Sequence, residues 1–132
     1  MASIHRELLT AAAAPDVWAA IRDVGALHTR LVPGFVLDTR LEGDVRVVTF
    51  ANGLVAREPI VTLDDGARRL AWTSEGGTLR HYHATVQVSP EGKGSRVVWV
   101  ADFLPHEAAS RVGPMMDAGI AAMQRALDAL AR

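Results

Sequence analysis

Six strand-like segments follow one another between residues 35 and 104, and only short turns separate them. The segments cover residues 35–41, 45–51, 54–63, 68–74, 79–88 and 96–104. The connections are rich in glycine, asparagine, aspartate and proline, which are the residues that turns prefer. Parallel strands would need crossover connections of about a dozen residues or more, so this spacing predicts an antiparallel meander.

A further strand and two short helices are predicted before the meander. Residues 3–10 have the length of a strand. Residues 15–22 indicate a short helix, with Pro15 at an early position that a helix tolerates. Residues 26–31 indicate a second short helix, which runs into Pro33-Gly34.

The last predicted element is a long helix. From Pro114 to Arg132 the apolar residues recur at three- and four-residue spacing, which is typical of one apolar helix face. Residues 106–112 are compatible with an extra turn before this helix. We expect the Gly113-Pro114 step to kink or break the chain between the two parts.

This order of elements predicts an α+β fold with a seven-stranded antiparallel sheet. Such a sheet needs one face covered, and only the C-terminal helix is long enough to cover it. A sheet curved around one helix encloses a space that medium-sized side chains need not fill. The length of 132 residues suits one hydrophobic core, so we expect a single domain over residues 1–132 with an internal cavity.

Two scarcities limit the chemistry. The chain has no cysteine, which excludes disulfides, thiol nucleophiles and Cys-ligated metal sites. Its only lysine, Lys93, falls in a turn-like segment, which disfavours a buried Schiff-base lysine. We find no sequence motif that is typical of a cofactor-binding site, so we expect no cofactor.

The charge pattern limits the partners. The formal net charge is −1 with acids and bases interspersed, which indicates neither a nucleic-acid nor an anionic-membrane partner. No apolar run approaches the roughly 18 residues that cross a bilayer. Residues 1–10 include charged side chains and do not read as a signal peptide, so we expect a cytoplasmic protein.

Four motifs in a fixed order carry a resemblance to a known superfamily. They are residues 15–22, Glu58 with Leu63-Asp64-Asp65, residues 81–85, and residues 97–99 with 103–105. In this order the chain resembles the START/Bet v 1-like helix-grip superfamily (SRPBCC), in its small bacterial polyketide cyclase/dehydrase-like branch, over essentially its whole length. The resemblance implies a helix-grip fold whose cavity binds lipids, sterols, hormones or polyketides, and in some members catalyses cyclisation, dehydration or condensation.

Glu58 is the acidic residue with the clearest chemical potential. Alternation along its strand groups it with Ala56 and Ile60, and the resemblance implies that this face points into the cavity. A carboxylate that faces an apolar cavity has its pKa raised by desolvation, which would suit a general acid or base. Alternatively, Glu58 forms a structural ion pair with Arg46 on the neighbouring strand and stays ionised.

Whether Arg46 lies opposite Glu58 depends on the turn at Asn52-Gly53. A tight two-residue turn would place Val47 opposite Glu58 instead. A wider loop or a bulge would bring Arg46 and Phe50 to the inward face together with Glu58. We favour the wider loop because it places Phe50 inside.

Tyr82 and two neighbouring histidines lie on opposite faces of one predicted strand. Alternation groups Tyr82 with apolar residues, which predicts that it faces the cavity with a hydroxyl that needs a hydrogen-bond partner. Alternatively, Tyr82 lies at the rim of the cavity and its hydroxyl is hydrated. His81 and His83 have a spacing that can bring two imidazoles near one metal ion. No third ligand is evident, so we expect no metal site.

The inward-facing apolar residues are the candidate ligand contacts. These are Phe50, Trp72, Tyr82, Trp99, Met116, Ile120 and Met123. A mostly apolar wall with few placed polar groups is what ligand pockets usually show. The sequence therefore predicts binding of a small, largely apolar molecule, with Arg46 and Glu58 as the polar groups of the pocket.

Two other functions remain open. In an enzyme of the polyketide cyclase/dehydrase kind, Glu58 would move a proton next to a carbonyl while Arg46 or Tyr82 stabilises the enolate oxygen. Alternatively, the chain is a dimeric interaction scaffold with a cavity filled by its own side chains, because the outward faces keep some apolar residues.

Overall fold

The computed structural model describes residues 2–75 and 79–131, and they form seven strands and two α-helices. The strands are β1 (Ala2–Thr10), β2 (Val36–Glu42), β3 (Val45–Phe50), β4 (Val55–Asp64), β5 (Arg69–Thr73), β6 (His81–Glu91) and β7 (Gly94–Leu104). The helices are α1 (Ala14–Arg22) and α2 (Ala109–Leu130). All seven predicted strands are present, with ends that differ from the prediction by a few residues.

The short elements differ in detail from the prediction. The second short helix is a 3₁₀ turn at Val24–Ala26 followed by a single wide π turn at Leu27–Leu31. A 3₁₀ turn at His106–Ala108 precedes α2, as the sequence allowed. None of the helices in the described part of the chain is long and apolar enough to cross a membrane.

The strands form one antiparallel sheet in the order β1-β7-β6-β5-β4-β3-β2. Strands β2 to β7 make the predicted meander, and β1 pairs with β7 along its whole length. The sheet curves around α2, which lies on its concave face and carries a stripe of buried residues from Val112 to Leu127. The predicted helix-grip fold of the α+β class is therefore confirmed.

The predicted break at Gly113-Pro114 is wrong. Helix α2 begins at Ala109 and continues through Pro114. A proline removes one backbone N–H, whose partner would be the carbonyl of Ser110, four residues earlier. This carbonyl lies in the first turn of α2 and Ser110 is exposed, so water can satisfy it, while Gly113 packs against β1 near Ile4. Tertiary packing on both sides of the proline therefore keeps the helix continuous.

Gly119 lets α2 approach the sheet closely. A Cβ atom at this position would lie 2.9 Å from Cζ3 of Trp99 and 3.2 Å from Cε2 of Phe35. Both neighbours are atoms of aromatic rings in the core, so neither gives way easily. The helix backbone therefore rests directly on the Trp99 ring.

Two glycine substitutions in α2 should have opposite effects on stability. Gly119→Ala should lower the free energy of unfolding, because overpacking costs about 1–3 kcal/mol and exceeds the gain in helix propensity of up to about 1 kcal/mol. Gly113→Ala is the matched control, since its Cβ would meet nothing closer than 3.7 Å. It should raise the free energy of unfolding. Urea denaturation of both variants checks this, and shifts of the same sign would contradict it.

Candidate functional site

A cavity of about 780 Å³ lies between the concave face of the sheet and α2. Its wall is mostly apolar and is built from the π turn, strands β2 to β7 and the N-terminal part of α2. The side chains of the described residues do not fill it. The scaffold alternative requires a cavity that the protein's own side chains fill, and the described residues do not provide one.

Most of the predicted contact residues line this cavity, together with the predicted polar pair. They are Arg46, Phe50, Glu58, Trp72, Tyr82, Trp99 and Met123. Phe50 also packs edge-on against Phe35, with 5.5 Å between the ring centroids. Their role as ligand contacts stays a prediction.

On α2, two of the three predicted contact residues do not line the cavity. Met116 and Ile120 are not among the lining residues, and Met116 is fully buried in the core. Met115 and Ala118 line the cavity instead. Met116 is enclosed by the hydrophobic core, and Ile120 is partly buried against that core.

The predicted polar groups of the cavity form a buried ion pair across two neighbouring strands. Arg46 lies directly opposite Glu58, and only 2% and 7% of their surfaces are exposed. Nε of Arg46 donates a hydrogen bond of 3.0 Å to the carboxylate oxygen Oε1, and Nη2 lies 2.8 Å from the same oxygen. Oε2 receives no hydrogen bond from the described residues. The guanidinium carbon also lies 5.3 Å from the ring centroid of Trp72, a cation–π contact.

The loop between β3 and β4 sets this register. The backbone N–H of Phe50 donates to the carbonyl of Leu54, so three residues, 51–53, form the loop. Gly53 has φ of +89°, the left-handed conformation that a three-residue hairpin loop needs at this position. The wider loop predicted from the sequence is therefore confirmed.

Tyr82 lies in the same row of the sheet as the ion pair. The pairing of Arg57 with Glu75 places Glu58 opposite Ser74, and the N–H of Ser74 donates to the carbonyl of Tyr82. Arg46, Glu58, Ser74 and Tyr82 thus follow one another across four strands, and all four line the cavity. Tyr82 is only 6% exposed, so it does not lie at the rim.

Burial sets the protonation of the two acidic groups. It raises the pKa of Glu58 above its ordinary value, although the charge and hydrogen bonds of Arg46 oppose the shift. Burial also raises the pKa of Tyr82, and the negative charge of Glu58 adds to the effect. Tyr82 therefore remains a neutral hydroxyl that can donate a hydrogen bond.

The two histidines lie away from the cavity. His81 is exposed, His83 is half-buried, and neither belongs to the lining. Among residues 2–75 and 79–131, no three His, Cys, Asp or Glu side chains lie close enough together to hold a metal ion.

Exposed residues of the β3–β4 loop lie at the mouth of the cavity. Asn52, Leu54 and Val55 of the β3–β4 loop line it, and Leu54 is 65% exposed. Oδ1 of Asn52 accepts a hydrogen bond from the N–H of Leu54, which orders this loop. The sequence signal for this position is an apolar leucine directly after the Asn-Gly turn.

The raised pKa of Glu58 has a consequence for stability. Above its ordinary value of 4.5 and up to the higher value in the folded protein, the native state binds more protons than the unfolded state. The free energy of unfolding should therefore fall as pH rises through this window. Glu58→Gln should abolish this part of the pH dependence, as measured by urea denaturation at a series of pH values.

Glu42→Gln is the matched control for this experiment. Glu42 is exposed, and its hydrogen bonds with Arg57 and Arg40 hold its pKa below the ordinary value. Its contribution to stability is present above pH 4.5 and is lost only as pH falls below that value. The profile above this pH should therefore match that of the unmodified protein, and identical slopes for all three proteins would contradict the prediction for Glu58.

Solved structures of similar proteins share this architecture. An uncharacterized protein from Bacillus thuringiensis superposes with a TM-score of 0.84 at 22% identity, covering 96% of this chain and 98% of that one. A START superfamily protein from Mycobacterium smegmatis gives 0.82 at 10% identity, covering 97% and 98%. A truncated norcoclaurine synthase from Thalictrum flavum gives 0.75 at 26% identity, covering 98% and 92%.

The family comparison covers the whole sequence. No functionally curated protein matches it significantly. A family model described as polyketide cyclase / dehydrase and lipid transport matches residues 1–132. With the helix-grip fold and the similar START and Bet v 1-like structures, this match confirms the resemblance found in the sequence. The chain belongs to the polyketide cyclase / dehydrase and lipid transport family, within the START/Bet v 1-like (SRPBCC) superfamily.

Proposed function

We propose that this protein binds a small, largely apolar molecule of lipid, polyketide or aromatic type in the cavity between the sheet and α2. The observation that carries the proposal is a cavity of about 780 Å³ with a mostly apolar wall and one buried ion pair. Pockets for small molecules usually measure roughly 300–1,000 Å³ and place a few polar groups in an apolar wall. The family description, which includes lipid transport, agrees with such a ligand.

The wall favours flat or flexible apolar ligands. Phe50, Trp72 and Trp99 supply aromatic surface on the sheet side, while Met115 and Met123 face them from α2. Thioether side chains adapt to ligands of different shapes. The exposed apolar residues at the mouth would give an apolar molecule a continuous path from the surface.

Native mass spectrometry of gently purified protein, compared with the denatured sample, tests this proposal. A discrete excess mass that disappears on denaturation is expected. Ala118→Trp should reduce it, because Ala118 lines the cavity on its exposed side and a larger side chain there would obstruct the space. Ala121→Trp is the matched control on the same helix, since Ala121 is exposed like Ala118 but lies outside the lining.

Two results would contradict binding in this cavity. One is a bound mass that Ala118→Trp and Ala121→Trp reduce equally. The other is the absence of any bound mass, combined with no uptake of added naphthalene derivatives by the unmodified protein. The same spectra report the oligomeric state of the protein.

An acid–base enzyme is the second candidate, and the geometry of Glu58 favours it. Its Oε2 has no hydrogen bond from the described residues, and burial raises its pKa. Glu58 would remove a proton from the carbon next to a ligand carbonyl, and Tyr82 would donate a hydrogen bond to the enolate oxygen that forms. The norcoclaurine synthase that shares this fold is an enzyme by name, at 26% identity.

Deuterium exchange into an aryl ketone tests this candidate. In deuterated water, the enzyme should accelerate exchange of the methyl hydrogens of 2-acetylnaphthalene, which NMR follows directly. Glu58→Gln should slow exchange by about a hundredfold or more, the usual contribution of a general base, while the ketone still binds. Glu42→Gln should exchange at the normal rate, and an equal rate for Glu58→Gln would exclude Glu58 as the base.

A further inference from the structure

Strand β2 is the last strand of the sheet, so one of its two sides has no neighbouring strand in the described part of the chain. Glu42 and Val45 flank the two-residue turn to β3, so they are a hydrogen-bonded pair. Alternation from this pair turns the N–H and C=O groups of Thr39 and Leu41 away from β3. Among residues 2–75 and 79–131, these groups form no main-chain hydrogen bond. Such an edge is a template for a strand of another chain.

The opposite edge of the sheet is occupied by the long helix. Helix α2 packs along β1, and Nε2 of Gln124 donates a hydrogen bond of 2.7 Å to the carbonyl of Leu9. An ion pair of 2.6 Å between Arg6 and Asp117 joins the same two elements. The 3₁₀ and π turns at residues 24–31 pack beside β2 without a main-chain hydrogen bond to it. Of the two edges, β2 is therefore the one that is open to a second chain.

The side chains of β2 suit a partner strand. Leu37 and Leu41 are 59% and 50% exposed, so they offer apolar surface at this edge. Asp38 and Arg40 are exposed as well and lie two residues apart, on one face of the strand. The strand contains neither lysine nor proline, two residues that commonly protect an edge from pairing. Its bulge lies between Val36 and Asp38, so the backbone is regular from Asp38 onward.

The charges of β2 select one register for pairing with a second copy. Pairing that keeps the concave faces of both sheets on the same side needs a twofold axis at one residue of β2. An axis at Asp38 or at Arg40 would place that residue opposite its own copy, so like charges would meet. An axis nearer to either end would overlap less than half of the strand. An axis at Thr39, the middle residue, overlaps the whole strand and places Asp38 of each copy opposite Arg40 of the other.

We propose that two copies of this protein form a dimer by antiparallel pairing of their β2 strands about a twofold axis at Thr39. In this dimer the two Thr39 residues donate main-chain hydrogen bonds to each other, and Leu37 of each copy lies opposite Leu41 of the other. The interface is isologous and uses both open edges, so association ends at the dimer. This inference does not depend on the ligand that the cavity binds.

Sedimentation velocity at increasing protein concentration tests the dimer. One pair of strands buries less surface than a standard protein interface, so the dimer should form between about 10 μM and about 1 mM. Asp38→Arg and Arg40→Asp each replace the facing pairs of opposite charge by pairs of like charge. Each variant should raise the Kd of the dimer by about tenfold or more. Arg125→Asp is the matched control and should keep the Kd, because Arg125 is exposed on α2 and not on the β2 edge.

A mixture of the two variants separates the register from any effect on folding. In a heterodimer of Asp38→Arg with Arg40→Asp, all the facing charges are again opposite in sign. The equimolar mixture should therefore dimerise at concentrations where the unmodified protein does, although each variant alone is monomeric there. A mixture that stays monomeric would contradict the pairing at Thr39.

Hydrogen exchange of the main-chain amides, followed by NMR, provides a second measurement. The amide of Thr39 should exchange more slowly as the protein concentration rises, because it becomes hydrogen-bonded in the dimer. The amide of Arg40 faces β3 already in the monomer, so it is the internal reference and should not change. A chain that stays monomeric up to about 1 mM, or a dimer in which Thr39 exchanges equally fast at every concentration, would overturn the inference.

Discussion

The buried ion pair between Arg46 and Glu58 is the interaction on which the candidate site depends. Transfer of two charges out of water costs several kcal/mol per ion, and apolar side chains of similar volume often stabilise a core equally well. Stability alone therefore does not explain the pair. It places hydrogen-bonding groups in an apolar wall without adding net charge, and Trp72 covers the guanidinium. The three-residue loop between β3 and β4 sets the register that makes it possible.

Most of the fold could be predicted because local signals agree with the global arrangement. Turn residues bound each strand, and the short connections allow only antiparallel neighbours. The pairing of Arg46 with Glu58 was also predictable, since a wider loop is what brings Phe50 inside. The start of α2 was not, because Pro114 signals a break locally. One missing hydrogen bond near the start of a helix weighs less than the packing of its neighbours on the sheet.

The finer geometry of the site lies beyond sequence patterns. Periodicity identifies the buried face of α2, but it does not reveal which residues of that face meet the cavity. Met115 and Met123 line the cavity, while Met116 is enclosed by the core. Alternation likewise assigns Trp99 to the inward face, but it does not show that Gly119 of α2 lies against the Trp99 ring. This contact joins residues that are distant in the sequence.

Binding and proton transfer make different demands on Glu58, and its one-sided contact with Arg46 serves both. While Glu58 is ionised, the pair is neutral, and the cavity suits an uncharged ligand. In the proposed proton transfer, Oε2 would take a proton from the ligand and leave Arg46 with an uncompensated positive charge, just as negative charge develops on the ligand oxygen. The hydroxyl of Tyr82 would then donate to an enolate, and hydrogen bonds to an anion are stronger than those to a neutral oxygen. The same pocket would thus serve binding or catalysis with few changes, which agrees with a family whose description includes both enzymes and lipid transport.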